Sequence, residues 1–141
     1  MVVAKIKDKD KLDSSGSKRE YIVQKEILEY LHTPRLKEVC YVWRNQSTGV
    51  FDPISGTFRM NKGLGRINGV ADILGILGSA SIGVDGSLGL GRLLAIEVKS
   101  SKGKPTPDQA SFLLQVNNRG GLGFIARSVE DVEAVFKREG V

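Results

Sequence analysis

Asp72 stands inside an otherwise apolar run, Val70-Ala71-Asp72-Ile73-Leu74. An ionised carboxylate without a partner is costly to bury, so this residue needs a cation, a proton or a hydrogen-bond donor. Further along, residues 93–99 read Leu-Leu-Ala-Ile-Glu-Val-Lys. Side chains two apart in a strand share a face, which sets Leu94, Ile96 and Val98 on one side and Leu93, Ala95, Glu97 and Lys99 on the other. The apolar side anchors the strand, and the opposite side ends in an acid and an amine. If the two strands are neighbours, Asp72 lies across from Glu97, and two facing carboxylates repel unless a cation or proton sits between them. Oxygen ligands of this kind suit Mg²⁺ or Mn²⁺, which retain waters that a phosphate can replace. The competing expectation is that Asp72 pairs with Lys99 or Arg92 and serves only the sheet, with Glu97 and Lys99 forming an ordinary exposed ion pair.

The elements that must position these groups follow from patterning. Ser17-Lys18-Arg19-Glu20 has capping-box spacing, and Val23, Ile27, Tyr30 and Leu31 recur at helical intervals until Pro34. Residues 39–44 favour a strand, with Trp43 expected in the core, and a polar turn follows at 45–49. Turn dipeptides at Asp52-Pro53 and Ser55-Gly56 precede a short candidate strand at 57–60 and a basic, glycine-rich connection at 61–69. Residues 70–77 and 92–100 are the strongest strand candidates, separated by a flexible glycine- and serine-rich loop at 78–91. Thr106-Pro107-Asp108-Gln109 opens a helix with a capping threonine, a proline at its first position and a glutamine three residues after the cap. Gly120 and Gly121 stop it. A strand at 122–126 and a last helix capped by Ser128, carrying Val129, Val132, Val135 and Phe136, complete the order αβ(β)ββαβα. That order predicts an α/β fold with a mixed central β-sheet flanked by helices, its last strand joined through a crossover.

Composition narrows the chemistry. The 141 residues carry 21 Lys plus Arg against 16 Asp plus Glu, a net charge of +5, with 40% apolar and 26% charged residues. These values exclude a wholly disordered chain and suit one domain, residues 17–141, behind a flexible polar arm at 1–16. The most apolar stretch, 70–84, is broken by Asp72 and three glycines, so no membrane span is expected, and the arm has no signal-peptide block, so a cytoplasmic protein is expected. Cys40 and His32 are the only residues of their kinds, which removes an internal disulfide, a Cys/His zinc site and most histidine-based nucleophile schemes. Catalysis would fall to carboxylates, lysines and a hard metal. The glycine-rich pieces fail as nucleotide sites, since residues 86–91 precede a strand and Gly103-Lys104 is followed by proline. Cations cluster at Arg59, Lys62 and Arg66 and again at Lys99, Lys102 and Lys104, which suits a polyanionic partner or a solvated basic surface.

Together, Asn68-Gly69-Val70-Ala71-Asp72-Ile73-Leu74-Gly75, Gly91-Arg92-Leu93-Leu94-Ala95-Ile96-Glu97-Val98-Lys99-Ser100, Gly103-Lys104 and Thr106-Pro107-Asp108-Gln109 resemble the virus-type replication-repair nuclease domain (VRR-NUC). That family is a branch of the PD-(D/E)XK nuclease superfamily, and Glu20 with Gln24, residues 42–45 and Gly120-Gly121 extend the resemblance over nearly the whole folded chain. Ala71 departs from it, standing where the superfamily name puts proline.

The resemblance implies a restriction-endonuclease-like core and a metal-dependent, structure-selective DNA endonuclease acting on branched DNA such as Holliday junctions or flaps. It implies Asp72, Glu97, the Val98 carbonyl and Glu20 as ligands of Mg²⁺ or Mn²⁺, Lys99 as the catalytic lysine, Gln109 as a further site residue, and a homodimer. Glu20 and Gln109 each lie three residues after a capping residue and would equally close capping boxes worth about 0.5–2 kcal/mol. For Lys99 to act as a general base its pKa would have to fall, which neighbouring carboxylates oppose and a bound metal favours; the preferred role is a charged lysine that orients water and stabilises the transition state. Arg44, Arg66, Lys102 and Lys104 would hold the DNA backbone without reading sequence. The alternatives are a non-catalytic nucleic-acid-binding module on the same scaffold and a restriction-type nuclease with sequence preference.

Overall fold

The computed structural model describes residues 12, 14, 18–46, 50–59, 64–78 and 89–141. The first helix, α1 (Glu20–Leu31), buries Val23, Ile27 and Leu31, the stripe its periodicity predicts. Its N-cap is Arg19, in extended backbone with no side-chain cap, so the helix starts later than a Ser17 capping box would have it. Glu20 becomes its first residue, favourably placed at the positive end of the helix dipole and free of a capping role. Ser17 itself lies outside the described residues. Of the expected N-terminal arm only Leu12 and Ser14 are described, and Leu12 forms an isolated antiparallel bridge with Lys18.

Pro34 does not merely end α1. Thr33 is the N-cap and Pro34 the first residue of a short helix, α2 (Pro34–Lys37), a position where the missing N–H costs nothing. Strand β1 (Cys40–Arg44) follows, then a separate two-stranded ribbon of β2 (Val50–Asp52) and β3 (Thr57–Arg59). Strands β4 (Ile73–Leu77) and β5 (Arg92–Val98), helix α3 (Pro107–Asn118), strand β6 (Leu122–Ala126) and helix α4 (Val129–Arg138) complete the chain. The expected loop at 78–91 lies mostly outside the described residues.

The main sheet has the order β1-β4-β5-β6. β1 with β4 and β4 with β5 are antiparallel, and β5 with β6 is parallel, so the fold is mixed α/β with a mixed four-stranded sheet flanked by helices. A parallel pair cannot be closed by a tight turn, and α3 supplies the crossover. On one face α1 and α4 bury Ile27, Leu31, Val132 and Phe136 against Ile73, Leu94, Ile96 and Val98. Each such side chain contributes about 1.5–3 kcal/mol relative to exposure.

The opposite face is covered by α3 through a smaller cluster of Ala71, Ala95, Leu113 and Val116. Small residues let the helix come close: a Cβ on Gly123 would sit 3.2 Å from the Leu113 carbonyl oxygen. Leu74 packs against this cluster, but beyond it Tyr41, Trp43, Ile76 and Leu93 are exposed on the same face. Trp43 is therefore not a core residue. Val42 faces α1 and is buried, and the alternation of the strand turns Trp43 to the uncovered side. Among the described residues no helix is long and apolar enough to cross a membrane.

Candidate active site at the end of the central strand

The β4–β5 register sets Ile73 opposite Ile96, and continuing it by one residue brings Asp72 level with Glu97. Asp72 is fixed by backbone on both sides. Its carbonyl accepts from Asn45 N–H at 2.8 Å, and its carboxylate Oδ2 accepts from Val98 N–H at 2.8 Å. The carboxylate thus lies on the β5 backbone beside Glu97 and pairs with neither Lys99 nor Arg92. Arg92 instead reaches Glu139 at 2.8 Å and the Gly120 carbonyl at 3.0 Å.

Glu97 is 1% exposed and Lys99 8%, so the Glu-x-Lys pair is buried and not the solvated pair that chance would favour. Lys99 Nζ lies 2.9 Å from Glu97 Oε1 and 3.9 Å from Glu20 Oε1. The ammonium neutralises Glu97 at ion-pair distance, yet neither Glu97 oxygen meets a hydrogen-bond donor in good alignment. Burial pushes the Glu97 carboxyl above its ordinary value, the Asp72 and Glu20 charges add to this, and Lys99 opposes it. For Lys99 burial acts downwards, but the contact and charge of Glu97, followed by Glu20 and Asp72, outweigh it and hold the amine above its ordinary value. Lys99 is therefore a fixed cation at neutral pH.

The loop after β5 is drawn over this pair. Gly103 N–H donates to the Ser100 carbonyl at 3.1 Å, and a Cβ on Gly103 would stand 3.3 Å from Glu20 Oε1 and from the Lys99 Cβ. Arg127 holds the loop, its Nη2 donating to the Gly103 carbonyl at 2.7 Å. Arg127 escapes a reading of the sequence because nothing in its own stretch points to residues 99–103. Its signal is the parallel register, which sets Val98 against Ala126 and so brings residue 127 level with Lys99.

The remaining expected residues divide. Gln109 is committed to a capping box: its side-chain oxygen accepts from Thr106 N–H at 2.8 Å while Thr106 Oγ1 accepts from Gln109 N–H at 3.3 Å. Lys102 and Lys104 are exposed on the loop beside the pair, and Arg66 is exposed on the segment leading to Asp72. Arg44 lies on the α1 side of the sheet, lining a cleft of about 330 Å³ with Tyr21, Gln24 and Leu28.

Among the described residues no group of three or more His, Cys, Asp or Glu side chains converges to hold a metal ion. Glu20 turns to Lys99, whose ammonium stands at 3.9 Å from it and at 2.9 Å from Glu97. What the site offers a cation is two adjacent carboxylates, one of them buried with neither oxygen meeting a donor in good alignment. That donor set fits Mg²⁺ or Mn²⁺, since such ions are held by one or two carboxylates and complete their shell with water and phosphate oxygens. No protein-family model, no curated protein and no solved structure matches this chain.

Proposed function

We propose that this chain is a metal-dependent, structure-selective DNA endonuclease with a PD-(D/E)XK core of the VRR-NUC type. The observation that carries the reading is Glu97: a fully buried carboxylate without an aligned donor, beside Asp72 and against a lysine held charged. A fold that needed only an ion pair here would gain more from apolar side chains, because desolvating two charges usually cancels their attraction. Asp72 and Glu97 would hold Mg²⁺ or Mn²⁺. When bound, the ion supplies activation of the attacking water and neutralisation of charge at the phosphate.

The protein's own groups do the rest. Val98 N–H fixes the Asp72 carboxylate, so this acid is in place before substrate arrives. Lys99, charged and fixed against Glu97, orients the water and balances negative charge as it develops on the phosphate. Glu20, 3.9 Å from the amine, adds a second negative charge that holds it in place. Lys102 and Lys104, with Arg66, would grip the backbone without reading bases, whereas Arg44, in the cleft against α1, lies away from that path. A symmetric dimer would set two such sites against opposing strands of a branched substrate.

The test is cleavage of four-way junctions, flaps and plain duplex with Mg²⁺ or Mn²⁺. Branched substrates should be cut in preference, Asp72→Ala should abolish cutting, and Lys99→Ala should slow it about 10²–10³-fold, as loss of one transition-state donor does. Activity that survives both changes rules the site out. One observation favours a second reading: Lys99 already neutralises Glu97, and Glu20 faces Lys99 rather than the other acids. In a non-catalytic nucleic-acid-binding module that pair would be structural only. Calorimetry separates the two, since the enzyme takes up Mn²⁺ and loses that uptake in Glu97→Ala, whereas the module takes up none.

A further inference from the structure

The face of the sheet that carries Asp72 and Glu97 continues into an aromatic surface that no described residue covers. By the strand pairings, Trp43 lies beside Leu74 and Leu74 beside Ala95, one row in from Asp72 and Glu97. The next row holds Tyr41, Ile76 and Leu93. Rows on one face are about 7 Å apart. Tyr41 is 74% exposed and Trp43 42%, their ring centres 6.1 Å apart at an interplanar angle of 53°. Beside them, between α3 and the segment leading to Asp72, runs a groove of about 750 Å³ with Leu93 and Phe112 on its apolar part and Arg66 and Arg119 among its polar lining.

We propose that this face is a track for an unpaired DNA strand, with Trp43 and Tyr41 stacking on its bases and Arg66 and Arg119 meeting its phosphates. The proposal rests on the nuclease reading and deepens it, because it says which part of a branched substrate the protein recognises. Three observations select this occupant. The rings lie on the same face as the candidate acids, Trp43 one row away and Tyr41 two, so a strand stacked on them is led towards the site. The rings are flat and open, and only bases released from a duplex present their faces to such a platform. The surroundings are cationic: Arg66 and Arg119 line the groove, and Lys102 and Lys104 are exposed beside Lys99. A second copy seated here would bring these like charges against their own equivalents, whereas a polyanion is complementary to them.

Trp43 is the only tryptophan in the chain, so its fluorescence reports on the track directly. The 141-residue chain in EDTA is titrated with a thymidine oligonucleotide of about 12 nucleotides, within the usual footprint of single-strand binders, and separately with a duplex of the same length. The single strand should quench Trp43 saturably and the duplex should not. In anisotropy with a labelled single strand, Tyr41→Ala and Trp43→Leu should each weaken binding about tenfold, the worth of one lost stack. Unchanged Trp43 emission overturns the proposal, as does unchanged affinity of both variants. It also falls if the variants turn a dimer into a monomer without altering oligonucleotide binding, which would make the face a contact between copies. Asp72→Asn keeps the outcomes separate: it should stop cleavage and leave the quench. Quench in a protein that never cuts removes the nuclease reading and keeps the track, and cutting without quench does the reverse.

Discussion

Burying Glu97 costs the folded protein stability that its contact with Lys99 only partly returns, because a buried pair must recover the desolvation of both charges. The direction of its shift makes this measurable. Glu97 is held above its ordinary value of 4.5, chiefly by burial, so the folded state keeps the proton more firmly than the unfolded chain does. Stability tied to this group is fully present below about 4.5 and declines as pH rises from there through the raised folded value. Lys99 acts in another window: its amine is raised above 10.5, so its contribution is lost only at higher alkalinity. Urea midpoints of the metal-free protein, compared with those of Glu97→Gln, should show the wild type losing ground steadily as pH rises above about 4.5. A difference that stays flat from pH 4 to 9 would mean that Glu97 is not held high. At this scale the two acids were legible because an acid inside an apolar run and an alternating strand are local signals. The partners were not: Val98 N–H for Asp72 and Glu20 for Lys99 come from strand register and helix placement, which no short window contains.

Elements, more than side chains, aim this site, and Gly69 is where two of them meet. It adopts φ +71°, and a Cβ there would fall 2.3 Å from the Asp108 carbonyl carbon and 2.5 Å from Gln109 N, in the first turn of α3. Only glycine lets the segment ahead of Asp72 lie on that turn, which itself is secured by the Thr106 and Gln109 capping box. Gly69→Ala should therefore cost on the order of 2–4 kcal/mol, combining a positive-φ penalty with backbone overpacking. Denaturant unfolding checks this, and a loss below about 0.5 kcal/mol, the range of ordinary surface changes, would show that α3 and the Asp72 segment do not abut. The same helix shows what patterning can deliver. Cap, proline and glutamine in sequence announced the start of α3, and Ser128 did the same for α4, because caps are short-range chemistry. Tertiary context decided the rest. A start at Arg19 without a side-chain cap, a proline opening α2, and β2 within a stretch that reads as turns all lack a local signature. Trp43, alternating with Val42, reads as a core residue, and it is exposed because α3 covers only the far side of that face.

At the scale of the molecule the question is where the net charge of +5 works. Polyanion binding depends on salt through the phosphates each cation neutralises, with log K falling by about 0.9 per contact on duplex DNA and about 0.7 on single strands. The loop held by Arg127 exposes Lys102 and Lys104 beside Lys99, and Arg66 stands on the same side of the sheet as the candidate acids. Arg44 lies across the sheet, in the cleft against α1. If DNA approaches the end of β5 over that loop, replacing Lys102 and Lys104 with alanine should flatten the salt dependence by about two contacts, whatever the sequence of the DNA. Arg44→Ala should change it by less than one. Binding of a labelled flap measured in EDTA between about 50 and 200 mM salt gives the slopes without interference from cleavage. The opposite ranking, a large loss for Arg44→Ala and none for the lysine pair, would put the DNA on the α1 side. It would then approach Glu20 from behind rather than Asp72 and Glu97 from the open face, and neither the site nor the aromatic track could serve the substrate as argued.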